Sequence, residues 1–264
     1  MNKNISEQIL KMIELYKIEG KHSNYQSIPT LLNGMLKIDR SKTNHKYEKE
    51  RFEYIMINLD IAEKEILEIG ANIGFFALEA LLKGAKKVVT YEGNKNYYEF
   101  LKIAINVLGL EHKVELNNKY FNFKNFKKRT FDIGFILNVL HHIGDDFGDF
   151  NLNKEMVLDK IGKAIKDISA YSRYLVFQMG FNWKGDISLP LFKHGTKSEM
   201  IDFITDVTKD DWEILNIGIP EIIEDKIKYT DLSPKNIERN DSLGEFLNRP
   251  LFIFKSQCFI ENKK

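Results

Sequence analysis

The sequence predicts an α/β fold: a seven-stranded, mostly parallel sheet with helices on both faces, preceded by an N-terminal helical extension. Three observations predict it. From Glu65 onward, short apolar runs alternate with helical segments. The intervening helices are long enough to carry right-handed crossovers between parallel strands. The first of those strands ends in a turn with glycines at Gly70 and Gly74, where such sheets place their ligands. A chain of 264 residues, 43% of them hydrophobic, suits one such domain with an appendage.

Taken in order, Ile5, Ile9, Met12, Ile13 and Tyr16 mark one face of an opening helix. A polar stretch over 20–44 follows. Then "KYEKERFEYIMINL" sets Phe52, Ile55 and Leu59 on the apolar face of a second helix. Residues 1–60 are thus expected to form a helical cap or lid, and 61–264 the core. "EILEIGA" is the first strand, and Gly74 to Lys83 a helix closed by Gly84. "KKVVTYEG" is the second strand. Asn94 can cap the next helix, whose Tyr97, Phe100, Leu101, Ala104, Ile105 and Leu108 keep helical spacing until Gly109 stops it. "KVELNNKYF" is a short third strand, and "FDIGFILNVLHHI" opens with a fully apolar fourth. Glu155 to Ser169 is helical, "RYLVFQMG" a fifth strand, Lys197 to Val207 a helix, "WEILNIGI" a sixth strand and "RPLFIFKSQCFI" a seventh. No helix separates the last two strands, so the seventh is free to enter antiparallel. The polar segment Glu221 to Asn248 reads as an insertion.

The totals exclude several function classes. With 39 basic and 38 acidic side chains the formal charge is +1, so no overall field recruits nucleic acid or an anionic membrane. A single cysteine, Cys258, excludes an intramolecular disulfide and any cysteine-rich zinc site. The opening "MNKNISEQILKMIELYKIEG" resembles neither a signal peptide nor a membrane anchor. The expectation is a cytoplasmic protein with no membrane partner.

The glycine turn decides between ligands. A dinucleotide fingerprint needs G-x-G-x-x-G, but Asn72 stands at its middle glycine and Phe75 at its third. A phosphate loop would need Gly-Lys-Ser/Thr, which is absent. What stands is Glu68-x-Gly70-x-x-x-Gly74, followed by Glu92 at the end of the second strand, where a carboxylate can accept both ribose hydroxyls. The candidate cofactor residues are Glu68, Gly70, Ala71, Asn72, Gly74, Phe75, Glu92 and Gly93, with Asn138 at the end of the fourth strand.

"LEIGANIGFFALEALLKGAKKVVTYEGN" and "FDIGFILNVLHHI" resemble the Rossmann-like class I S-adenosylmethionine (SAM)-dependent methyltransferases over roughly residues 61–180. The resemblance implies that SAM is the cofactor and S-adenosylhomocysteine (SAH) the product. It also implies that Glu68 and the Gly70–Gly74 turn face the methionine portion, and that Glu92 binds the ribose. Where the family usually has an acidic residue near the adenine, this chain has "NNKYFNF", leaving Asn118, Lys119 or Tyr120 in that place. Family members of similar kind are often encoded with bacterial surface polysaccharides, which suggests capsule polysaccharide biosynthesis.

Methyl transfer to a hydroxyl needs a base near the fourth strand's end. "NVLHHIGDDFGD" offers His141 and His142 as the catalytic candidates, since histidine titrates near neutrality. The same histidines with Asp145 and Asp146 do not argue for a metal, because adjacent residues rarely converge on one ion. Amino-methylating nucleic-acid enzymes of this fold usually carry Asn/Asp-Pro-Pro-aromatic here. This chain has Asn138-Val139-Leu140-His141, which leaves oxygen as the preferred acceptor.

For the acceptor pocket, the loop after the fifth strand supplies Trp183, Lys184 and His194, and the N-terminal helices supply Arg51 beside Arg40, His45 and Tyr47. Lys119, Lys124, Lys127, Lys128 and Arg129 interleave with aromatics, a pattern compatible with a phosphorylated or nucleotide-linked acceptor. The expected function is O-methylation of a small molecule or surface-polysaccharide precursor. The alternatives are a tRNA or other RNA methyltransferase and a non-catalytic adenosyl-ligand-binding protein.

Overall fold

The computed structural model describes residues 3–22, 25–36, 38, 46–123, 126 and 129–259. Arg40, His45, Lys124, Lys127 and Lys128 lie outside the described residues. The chain divides into two compact units, Met1–Phe52 with Asp60–Phe121, and Glu53–Leu59 with Asn122–Lys264.

The first unit holds α1 (Lys3–Tyr16), the start of α2 (Glu48–Asn58), β1 (Glu65–Ile69), α3 (Phe75–Leu82), β2 (Lys87–Tyr91), α4 (Lys95–Leu108) and β3 (Val114–Asn117). β2 lies between β1 and β3 and is parallel to both, with Glu68 opposite Thr90 and Thr90 opposite Leu116. Both strands next to the glycine turn are buried after their first residue, as parallel strands covered on both faces must be. α4 begins and ends where its sequence predicts. The Asn94 side chain accepts from the N–H groups of Asn96 and Tyr97, and Gly109 closes the helix in the left-handed region at φ 67°. α1 packs on α4 through Tyr16 and Phe100, whose ring centroids are 6.3 Å apart.

The second unit holds β4 (Phe131–Leu137), α5 (Lys154–Ile168), β5 (Ser172–Gln178), α6 (Lys197–Thr208), β6 (Trp212–Ile223), β7 (Lys226–Asp231) and β8 (Leu251–Ser256). β4 and β5 are parallel, and β8 is antiparallel to both β5 and β6. The α/β class is as predicted, and so is the freedom of the last strand to run antiparallel. The strand count is not. Eight strands are present among the described residues rather than seven, because the segment read as an irregular insertion contains β7.

β7 pairs with β6 as a hairpin from Gly218–Asp231 to Ile223–Lys226. Its turn places Glu224 and Asp225 at φ 52° and 59°. Two-residue hairpin turns of this hand favour Asn-Gly or Asp-Gly, so a Glu-Asp pair gives no turn signal. The rest of the segment is also tied down. Lys197 is 2% exposed, and its ammonium donates to the carbonyls of Asn236 and Glu238, each at 2.9 Å. Among the described residues, no helix is long and apolar enough to cross a membrane.

Gly218 shows how tightly the hairpin is fitted to the C-terminal half of α2. Tyr54 donates its hydroxyl to Asp231 Oδ1 at 2.5 Å, and its ring would lie 2.5 Å from a Cβ built on Gly218. Burial, then the hydrogen bond and charge of Asp231, push the phenol well above its ordinary range, so it stays a donor. Gly218→Ala is expected to destabilise the protein by about 1–3 kcal/mol, as overpacking does. A lowered urea midpoint at constant slope checks it.

Candidate functional site

In the first unit, the β1–α3 turn is shaped by three residues in the left-handed region: Gly70 at φ 77°, Asn72 at 52° and Gly74 at 84°. Asparagine tolerates this conformation better than most residues, and here its Oδ1 accepts from the Ile73 N–H at 2.8 Å. Asn72 therefore does the conformational work that a middle glycine would do. Gly70 N–H donates to the Tyr91 carbonyl at 2.8 Å, which ties the turn to the end of β2. A Cβ at Gly74 would collide with the Leu101 side chain. The buried Gln26 accepts from Phe75 N–H at 3.2 Å, capping α3 from the N-terminal segment.

Glu92 is 7% exposed and closes this arrangement. Its Oε2 accepts from Asn72 N–H at 2.6 Å and its Oε1 from Asn94 N–H at 2.7 Å. One carboxylate thus fastens two strand-to-helix turns together. A carboxylate in this place is the group type that accepts from ligand hydroxyls. Glu68 is 3% exposed, and its Oε2 has no hydrogen-bond partner. Neither does Thr90 Oγ1, on the residue beside it in β2. Burial, then the neighbouring charge of Glu92, push the Glu68 carboxyl up to about 8, against the opposing hydrogen bond from Ala77 N–H.

Of the three adenine-side candidates, Tyr120 lies with its ring where a Cβ on Gly93 would fall, and it is half exposed. Asn118 donates to the Glu92 carbonyl at 3.0 Å, and Lys119 sits 5.7 Å above the Tyr91 ring. Arg51, also in the first unit, is 1% exposed. It stacks 5.0 Å from the centre of the Phe76 ring and lies 3.5 Å from Glu48.

In the second unit, the two histidines follow β4 in a single 3-10 turn, Leu140–His142, with ring centres 4.2 Å apart. They have opposite hydrogen-bond settings. His141 Nδ1 accepts from Gly180 N–H at 3.2 Å, so a neutral His141 carries its proton on Nε2. His142 Nδ1 lies 3.4 Å from Asp146 Oδ2 and 3.7 Å from Asp145 Oδ2, an acidic setting that favours a proton on Nδ1.

Asn138, at φ 61°, opens the same turn and donates from Nδ2 to Gln178 Oε1 at 2.9 Å. Its Oδ1 accepts from Arg249 at 2.7 Å. Trp183 is buried and donates its indole N–H to the Ile143 carbonyl at 2.7 Å, which supports the histidine turn from below. Lys184 places its ammonium 4.3 Å from the centre of that indole. His194 is exposed, and its backbone N–H donates to Glu199.

Sequence reading missed Arg249, Glu245 and Gln178. Gln178 carried a usable signal, since it is a polar residue closing an apolar strand. Arg249 and Glu245 fall in or beside the segment read as an insertion, where nothing marks them.

No family model matches the sequence, and no curated protein matches it. Solved structures do. The chain is similar to a candidate SAM-dependent methyltransferase from Streptococcus mutans at 15% identity and TM-score 0.51, covering 80% of this chain and 48% of that one. It is similar to a candidate hemolysin from Streptococcus thermophilus at 11% identity and TM-score 0.50, covering 78% and 64%. A candidate RNA methyltransferase from Pyrococcus horikoshii matches at 16% identity and TM-score 0.46, covering 97% and 99%. The chain spans about half the length of the S. mutans protein. At these identities the likeness is one of fold, and with the parallel strands and glycine turn described above it gives a single conclusion: the chain has the Rossmann-like class I methyltransferase fold.

Proposed function

We propose that the chain is a SAM-dependent methyltransferase that methylates an oxygen on a small molecule or surface-polysaccharide precursor. The observation that carries the donor half is the buried carboxyl of Glu68, whose Oε2 has no hydrogen-bond partner, beside a turn held by Glu92. A carboxyl group of this kind suits the cationic end of SAM. The Glu92 carboxylate suits the ribose hydroxyls, and the Tyr120 ring offers a stacking face for the adenine. When bound, SAM supplies an electrophilic methyl group on sulfur.

The chain's own residues supply the proton chemistry. His142, with Asp146 behind its Nδ1, acts as the general base at Nε2 and takes the acceptor's hydroxyl proton. His141 acts in the other sense. With Nδ1 occupied by Gly180 N–H, it donates from Nε2 and orients an oxygen. The absence of Asn/Asp-Pro-Pro-aromatic after β4 supports oxygen over an exocyclic amine.

His142→Ala is expected to lower single-turnover transfer by roughly 10²–10⁴-fold, the usual worth of a positioned base. Rate should rise with pH through the base's titration in the wild type, and that limb should vanish in the variant. His141→Ala is expected to weaken transfer while keeping the limb. A limb that survives in His142→Ala would reject the assignment. Labelled SAM offered with small-metabolite and tRNA pools tests the acceptor class. Label in tRNA alone, with salt-dependent binding, would overturn the small-molecule reading.

A further inference from the structure

The polar cluster that closes β4 and β5 has more donors than acceptors. We propose that Arg249 and Asn138 form a recognition site for an oxyanion, a carboxylate or a phosphate, carried by the methyl acceptor. The proposal rests on the methyl-transfer reading and narrows its substrate class.

The hydrogen-bond inventory carries it. A guanidinium has five N–H groups and no acceptor. Arg249 Nε donates to both oxygens of Glu245 at 3.1 Å, Nη2 to Glu245 Oε2 at 2.5 Å, and Nη1 to Asn138 Oδ1 at 2.7 Å. That leaves one N–H on each terminal nitrogen without an acceptor among the described residues. Asn138 spends one of its two amide hydrogens on Gln178 Oε1, leaving the other. Gln178 is a donor through its amide hydrogens, to Tyr229 Oη and the Arg249 carbonyl, and only its Oε1 serves Asn138 as an acceptor. Arg249 is 8% and Asn138 7% exposed, so these spare donors have little water to turn to.

The donors are also held in place. Glu245 grips Arg249 along one edge of the fork and itself accepts from Phe181 N–H at 3.0 Å. The guanidinium stacks 4.9 Å from the centre of the Phe246 ring. Asn138 has a left-handed backbone that fixes where its amide points. Gly180 keeps the other edge clear, because a Cβ there would lie 3.0 Å from Arg249 Nη2. A rigid planar fork with spare N–H groups matches a carboxylate or phosphate better than a neutral sugar hydroxyl, whose own hydrogen would need an acceptor.

The test uses the full chain saturated with SAH, with acetate and inorganic phosphate as probes. Binding is followed by thermal midpoint and by the side-chain signals of ¹⁵N-labelled arginine. Wild type is expected to bind one or both probes with a shift in the Arg249 signal. The paired variant Glu245→Gln/Arg249→Gln leaves no buried charge behind and should bind at least tenfold more weakly. Equal binding by both proteins, or none by wild type, overturns the proposal.

A second arm separates the cofactor's own carboxylate from the acceptor's, by calorimetry with SAH and with 5′-methylthioadenosine, which lacks the carboxylate. A tenfold loss for SAH alone in the paired variant would assign the fork to the cofactor and overturn the acceptor role. If wild type binds neither nucleoside, the methyl-transfer reading fails, and the anion titration without nucleoside still judges the fork.

Discussion

Replacing Glu92 with alanine is expected to lower SAH affinity at least 100-fold, the largest loss of any single substitution in the first unit. The side chain has two tasks. It fastens Asn72 and Asn94 N–H at 2.6 and 2.7 Å, and so holds the turn around the adenosyl site in shape. It is also the carboxylate that suits the ribose hydroxyls. Hydrogen bonds to a charged group are each worth about 1.5–3 kcal/mol, and a 100-fold loss corresponds to about 2.7 kcal/mol, so the loss of one or two such bonds accounts for it. Two backbone N–H groups left without their acceptor should also lower the melting temperature. Glu92→Gln keeps the shape and one acceptor oxygen, but turns an NH₂ group toward a backbone donor. It should lose affinity by roughly tenfold with a smaller thermal cost. Calorimetry on both variants decides the matter. SAH binding within threefold of wild type in the alanine variant would remove Glu92 from the adenosyl site.

Glu92 also shows which parts of the molecule the sequence makes legible. Features written by local physics were readable: the Asn94 cap, the Gly109 stop, the apolar strands and the αL-demanding turn at Gly70 to Gly74. The β6–β7 hairpin was not, because its turn uses Glu224 and Asp225 in a conformation that normally advertises itself through glycine or asparagine. The histidines were legible as a pair but not as opposites. The groups that face their Nδ1 atoms are Gly180, 39 residues from His141, and Asp146, four residues on from His142. Arg249 reaches Asn138 across 111 positions, and no spacing rule spans that distance. Strand ends could be placed from the sequence, while the partners that tune each polar group at those ends come from the tertiary fold.

Glu68 should make both stability and ligand binding depend on pH, and the sign follows from its environment. Its carboxyl is pushed up to about 8, first by burial and then by the charge of Glu92, from an unfolded value near 4.5. The folded state therefore holds a proton that the unfolded state releases above that value. Stability from this group is complete below about pH 4.5 and is lost as pH rises toward 8, by about 1.4 kcal/mol per pH unit across the window. Glu68→Gln keeps the size and an oxygen for Ala77 N–H, so it should flatten that slope and be the more stable protein at pH 8.5. A ligand that brings positive charge to this carboxyl reverses the preference and expels the proton. SAM binding at pH 7 is thus expected to release close to one proton in wild type and almost none in Glu68→Gln. Calorimetry in phosphate and in Tris, whose ionisation heats differ, reads the difference directly. Identical binding enthalpies in the two buffers would mean that Glu68 does not meet the cationic end of the cofactor.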